Sequence, residues 1–435
     1  MRFTRQAALL TLPCIIALQG VLASAARSSG YDVVFERSYH PTSGGYGNVH
    51  SLVRTRDGGY AFSGRSLFSQ AWVVKTNSNG GKEWEAYISG SFRSEQDAHV
   101  VIVVPDGGLL LGGKSNSHDL VPGNWGRDGR QDWPYAYRKT PTVAFIARFD
   151  RSGRLVWRKA YGRLGNVRSS ADFSCGKVVD DGFVMVGTRF IEVPVPATMV
   201  PYYPYLKVLW VVKLSRNGDI VWQKLVKQDG DDLLSPTIEV YCTTPITDSA
   251  GRVTFAATLQ KRTPGGPYVK YPHHLALVIS FNRKGEEVAR RRIDDAVNVQ
   301  LRATANGFVV LDNPPHAAPG GIRRTELDRK LGVISQSETK FKDFMFWLAG
   351  ASPLGEEGFY IAGRYVVPPH ERGKPAVATL DGKGRLENLK TFGLLFSDWG
   401  EVRAISPGDN EDEIVLLRQG GTSESAGLVK LKVHR

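Results

Sequence analysis

One phrase recurs along this 435-residue chain and narrows its fold more than any other feature. Its clearest copies run from Asp57-Gly58-Gly59-Tyr60 through Ala71-Trp72-Val73-Val74-Lys75 to Glu83-Trp84, and from Asp106-Gly107-Gly108-Leu109 through Ala144-Phe145-Ile146-Ala147-Arg148 to Val156-Trp157. A third runs from Asp180-Asp181-Gly182-Phe183 through Leu209-Trp210-Val211-Val212-Lys213 to Val221-Trp222. Self-similarity at several tens of residues, in units of short strands, marks a radial or linear repeat fold.

Each unit reads as strand A, an Asp-Gly turn, strand B ending in small residues (Phe62-Ser63-Gly64, Leu111-Gly112-Gly113), a variable loop, strand C, a second turn and strand D. Gly and Asn accept the positive φ of two-residue hairpins, so Asp57-Gly58, Asn79-Gly80, Asp106-Gly107 and Asn217-Gly218 read as such turns. Strand C is apolar almost throughout, as expected when both faces are packed. The strand D tryptophans Trp84, Trp157 and Trp222 read as packing between successive sheets.

Weaker copies around Phe255, Phe308, Phe359 and Ile414 bring the count to seven. The seventh lacks a strand D, and Tyr31–Tyr39, ahead of the first strand A, resembles one. Closure of a ring removes exposed sheet edges, whereas a linear stack needs polar caps that are not visible here. The expected fold is therefore all-β, a seven-bladed β-propeller closed by the N-terminal strand. It forms one domain over 26–435, with blades starting near 49, 98, 171, 238, 297, 346 and 400.

Arg2 and Arg5, an apolar run from Ala7 to Leu18, and Ala23-Ser24-Ala25 read as an export signal cleaved near Ala25. The mature protein is expected to be periplasmic or secreted, monomeric and without a transmembrane segment. Cys14 falls in the signal. Cys175 and Cys242, in the first strands of adjacent repeats, are candidates for a disulfide in an oxidising compartment, two separate buried thiols being the alternative. Metal-type Cys/His spacing is absent, and Asp229 to Asp232 and Asp409 to Glu413 read as solvated acidic turns, so neither a metal nor a cofactor is expected.

The B–C connections are long and fall on one face. They carry Trp125, Arg127, Arg130, Trp133, Tyr135 and Tyr137; Tyr202, Tyr203 and Tyr205; Tyr268, Tyr271 and His273; and His370 and Arg372. Loops on a rigid scaffold concentrate function, and exposed Tyr and Trp beside Arg are enriched at recognition surfaces. The bland reading is that these side chains only pack the loops over the mouth. With a formal net charge of +13, the chain favours an anionic partner, and export makes nucleic acid the poorer choice. The partner expected is an acidic glycan, or an envelope or other protein.

His50 and His99 each lie seven residues before the Asp of an Asp-Gly turn, which places them equivalently in neighbouring blades near the channel rim. Two readings follow. The first is a non-catalytic binding module. The alternative is a polysaccharide-active enzyme of the lyase type, with His50, His99 or Tyr271 moving the proton and an Arg neutralising the sugar carboxylate.

The repeated Asp-Gly-Gly-Tyr, Trp-Val-Val-Lys, Asn-Gly and Trp elements resemble the repeat of exported bacterial propellers of the quinoprotein-like (PQQ-like repeat) superfamily, over about 31–435. The resemblance implies the fold and an envelope or secreted location. It stops short of quinone chemistry, because the eight blades, vicinal cysteines and calcium site of quinoprotein alcohol dehydrogenases have no counterpart here.

Overall fold

The computed structural model describes residues 30–434 other than 43–46, 67–68, 91–94, 117–141, 163–170, 193–204, 227–237, 262–272, 315–320, 342, 356–357, 368–372, 393–400 and 420–424. The chain forms seven antiparallel sheets. In the first, Asn48–Arg54, Tyr60–Arg65, Ala71–Thr76 and Lys82–Ile88 follow one another from strand A outward to strand D. The other inner strands are Gln96–Val103, Ala171–Val179, Ile238–Cys242 continued by Ile246–Thr247, Val297–Ala303, Met345–Leu354 and Glu401–Pro407. The fold is a seven-bladed β-propeller.

The last blade is assembled from both ends of the chain. Its order is Glu401–Pro407, Glu413–Gln419, Ala426–Val433 and then Tyr31–Tyr39, which pairs antiparallel with Ala426–Val433. The N-terminal strand therefore supplies strand D of blade seven and closes the ring.

Seven apolar layers hold the ring, one at each junction between blades. At the closing junction, Phe35, Tyr39, Leu417 and Leu428 pack against Tyr60, Phe62, Trp72 and Val74. Strand C is buried on both faces, which explains its unbroken apolar run: every residue of Ala71–Thr76 and Val143–Phe149 is buried.

The strand D aromatics reach sideways to the next blade. Trp84 Nε1 donates to Arg151 O at 2.9 Å, and Trp222 Nε1 donates to Arg283 O at 3.1 Å. Their rings cover the C–D turns there so closely that a Cβ on Gly153 would stand 2.7 Å from Trp84. Phe35 covers Gly80 in the same manner, so the N-terminal strand uses the clasp that the other blades use.

The turns differ from the two-residue hairpins expected of Asp-Gly and Asn-Gly. Thr55 N–H donates to Gly59 O and Gly58 N–H to Thr55 O, which encloses three residues with Gly58 at φ +82°. Asn77 to Gly81 repeats the pattern. A three-residue loop of this kind ends in a left-handed residue, a position that glycine fills without strain and that Leu331 fills at φ +65° in blade five. The aspartate caps the turn from within, its Oδ1 accepting from Gly59 N–H at 3.1 Å.

Candidate functional site

Every inner strand carries one residue more than the strand B beside it. In blade one Val49 pairs with Gly64 and Ser51 with Ser63, which leaves His50 unpaired; in blade two Ala98 pairs with Gly113 and Val100 with Gly112, which leaves His99 unpaired. Ser174, Ala349 and Arg403 are the unpaired residues of blades three, six and seven, and blades four and five show the same surplus. A β-bulge of this type bends the strand and re-aims the surplus side chain.

The small residue at the end of strand B permits the bulge. A Cβ on Gly64 would lie 1.8 Å from Asn48 O, and one on Gly113 would lie 1.9 Å from Asp97 O. In these two blades the close approach leaves no room for a side chain, whereas blade seven forms the same bulge opposite Arg418. The repeated Gly thus fixes the backbone that presents His50 and His99 at the end of the channel where the B–C connections leave.

Two aspartates complete the cluster. His50 Nε2 is 2.9 Å from Asp97 Oδ1, and His99 Nε2 is 3.1 Å from Asp97 Oδ2. On the other side of its ring, His99 Nδ1 is 3.0 Å from Asp172 Oδ1, a buried oxygen that accepts no aligned hydrogen bond. The two imidazoles meet edge to face with centroids 4.9 Å apart. Asp97 is nearly buried at 7% side-chain exposure, whereas His50 keeps 31%.

Burial opposes charge on His99, but the two carboxylates outweigh it and push the imidazole up to about 10. Asp97 is also penalised by burial, yet the hydrogen bonds and charges of His50 and His99 hold it far below the usual carboxylate range. At neutral pH the core of the cluster is an imidazolium between two carboxylates.

The same contact recurs at two successive junctions. The residue two places before the bulge in one blade reaches the bulge residue of the preceding blade, so Asp97 meets His50 and Asp172 meets His99. At the equivalent place in blade one, Asn48 Oδ1 accepts from Gln419, whose Oε1 accepts from Arg403 Nε at 3.0 Å. Polar contacts therefore run through blades seven, one, two and three. Asp97 and Asp172 were not singled out from sequence. Their signal was the matched triplets Asn48-Val49-His50, Asp97-Ala98-His99 and Asp172-Phe173-Ser174.

The structure brings His50 and His99 together. Trp125, Arg127, Arg130, Trp133, Tyr135, Tyr137, Tyr202, Tyr203, Tyr268, Tyr271, His370 and Arg372 lie outside the described residues; Tyr205 and His273 lie on strands, Tyr205–Ser215 and His273–Phe281, that border their loops. Cys175 and Cys242 are bonded with Cα atoms 5.8 Å apart, linking the inner strands of blades three and four. Of the two acidic runs, Asp229 to Asp232 lies outside the described residues. In the other, Asp409 and Glu413 turn onto Lys430, with Glu413 Oε2 2.9 Å from its Nζ. Among the described residues no helix is long and apolar enough to cross a membrane.

No protein family and no curated protein matches the chain. Several solved propellers share its architecture at very low identity. A polysaccharide lyase is 11% identical with a TM-score of 0.47, the match covering 88% of this chain and 89% of that one. The β-propeller domain of the Trilobed protease from Pyrococcus furiosus is 9% identical with a TM-score of 0.43, covering 88% and 93%. A sialidase from Trypanosoma rangeli, solved with sialic acid, is 10% identical with a TM-score of 0.39; the match covers 82% of this chain and 56% of the sialidase. Likeness at this level concerns the fold alone, since one scaffold hosts many unrelated activities.

Proposed function

We propose that the protein is an exported propeller that binds an acidic saccharide on the face where the B–C connections leave the blades. One observation carries the reading: inner-strand bulges gather polar and ionisable side chains from blades seven, one, two and three at that face, where the aromatic and basic connections also begin. Aromatic faces stack on sugar rings, while Arg and Lys pair with carboxylate or sulfate. The formal charge of +13 favours such a partner. Export rests on the Arg2-to-Ala25 signal pattern and agrees with a Cys175–Cys242 bond, since oxidising compartments preserve disulfides.

The test is a panel of uronate-containing and sulfated polysaccharides, assayed for retention of the protein and for release of unsaturated products. Retention that weakens with salt, without products, is the expected result. Unsaturated products would reassign the face to lyase chemistry. Retention on none of the panel would overturn the saccharide reading and point to a protein partner.

A further inference from the structure

We propose that His50, Asp97 and His99 form a binding site for a divalent transition-metal cation of the zinc type, with Asp172 as the residue that orients His99. One ligand atom from each of the three lies within 4.8 Å of the others. Tetrahedral zinc with bonds of about 2.0–2.1 Å places its ligand atoms about 3.3 Å apart. The two nitrogen–carboxylate separations, 2.9 and 3.1 Å, already approach that spacing. His50 sits on Oδ1 of Asp97 and His99 on Oδ2, and the remaining nitrogen–nitrogen separation, within 4.8 Å, must close for both imidazoles to ligate one ion.

The donor chemistry selects the metal class. Two imidazoles and one carboxylate suit zinc, cobalt or iron rather than calcium or magnesium, which prefer an all-oxygen shell. Three protein ligands also leave a coordination position open, and His50 is the ligand on the solvent side. The surroundings of His99 add a second, independent indication. Imidazoles that ligate metals generally direct the other ring nitrogen at a carboxylate or carbonyl, which fixes the ring and its tautomer. His99 has such a carboxylate beside it, Asp172 Oδ1 lying 3.0 Å from Nδ1 without being aligned as a hydrogen bond, and its Nε2 lies 3.1 Å from Asp97 Oδ2.

Charge accounting points the same way. Asp97 and Asp172 bring two negative charges to a largely buried place, and unpaired buried charge is costly. A divalent cation held between them would offset that charge. The bulges place the two histidine ligands: His50 and His99 are the surplus residues turned out of their ladders, while Asp97 stays paired with Lys114 in its own.

Metal binding is measured without any saccharide, so it stands or falls separately from the proposed function. The intact protein, stripped with chelator, is titrated with Zn²⁺ by calorimetry and with Co²⁺ by visible absorption. One equivalent should bind, with the intense d–d bands of a low-coordinate cobalt site. His50→Gln should weaken Zn²⁺ binding at least 100-fold and abolish the cobalt bands, while its metal-free melting curve stays close to that of the parent. Asp172→Asn should retain the bands and lose about 10–100-fold in affinity. His434→Gln, at an exposed histidine paired with Asp32, serves as the control and should bind as the parent does. Absence of stoichiometric binding would overturn the proposal, as would binding that survives His50→Gln. In either event the cluster is a hydrogen-bonded interblade strut.

Discussion

Lys75 Nζ lies 2.9 Å from Asp57 Oδ2 and 2.8 Å from Glu83 Oε2, so a single buried ammonium joins the A–B turn of blade one to the start of its strand D. Lys213 meets Asp181 at 2.8 Å in blade three, Arg148 meets Asp106 in blade two, and Lys430 joins Asp409 and Glu413 in blade seven. The basic residue that ends the Trp-Val-Val-Lys run and the aspartate of the Asp-Gly turn are thus two halves of one fastening.

The fastening gives a pH signature. Burial opposes the Asp57 charge, but hydrogen bonds from Thr55, Lys75 and the Gly59 N–H outweigh it and lower the carboxyl to about 2. Its unfolded value is about 3.9. The contribution is therefore present above about pH 4 and is lost as pH falls toward 2. Asp57→Asn should lower the urea midpoint at pH 7 and leave it almost unchanged at pH 2. An equal loss at both pH values would refute the assignment.

Asp312 supplies a contrasting case. It is fully buried, and Arg323 reaches both of its oxygens, at 2.8 and 3.1 Å. Burial raises its carboxyl and Arg323 draws it back. Arg323→Met leaves that carboxyl buried without its partner, which should cost about 3–5 kcal/mol by denaturant unfolding. Adding Asp312→Asn should recover much of the loss. A single-mutant effect below about 0.5 kcal/mol would show that water reaches the site.

The Cys175–Cys242 bond closes a sequence separation of 67 residues. Constraint of the unfolded chain by a loop of this length stabilises by about 2–4 kcal/mol. A Cys175→Ser/Cys242→Ser protein should melt lower than the oxidised parent and resemble the reduced parent. Identical melting with and without reductant in the parent would show that the bond contributes nothing.

Phe35 tests the closure. It is buried in the layer between blades seven and one, against Tyr60. Phe35→Ala should cost about 3 kcal/mol, and limited proteolysis should release the N-terminal strand before any other segment. Cleavage beginning within a central blade would contradict closure by this strand.

The architecture was legible because the pattern that folds it is local. Turn glycines, apolar strand C runs and strand D tryptophans each sit within one unit, and a strand without a partner at each end implied a ring. His50 and His99 were legible through their equal spacing to the Asp-Gly turns. Asp97 and Asp172 were not, because each acts on a histidine of the preceding blade and ring geometry alone makes them neighbours. The bulges were hidden as well. Strand alternation offers no sign of a surplus residue, and the only trace was the Gly facing it, which reads equally well as a strand end. Lys75 and Asp57 were both visible, but eighteen residues apart they read as a strand end and a turn.

The shared last blade also has a consequence for the order in which the molecule can form. Tyr31 pairs with Val433, and His434 N–H donates to Gly30 O at 2.8 Å, so the first strand waits for the last. Six blades can assemble as their strands emerge, but Tyr31–Tyr39 has no ladder to join until Ala426–Val433 exists. Until that moment Tyr31–Tyr39 is an unpaired strand, a template for the wrong partner. The final step is then an annealing event between the earliest and the latest strands, and it doubles as a check on length. A chain cut short before Ala426 retains six blades and lacks a circuit, and it should be recovered as oligomers joined edge to edge.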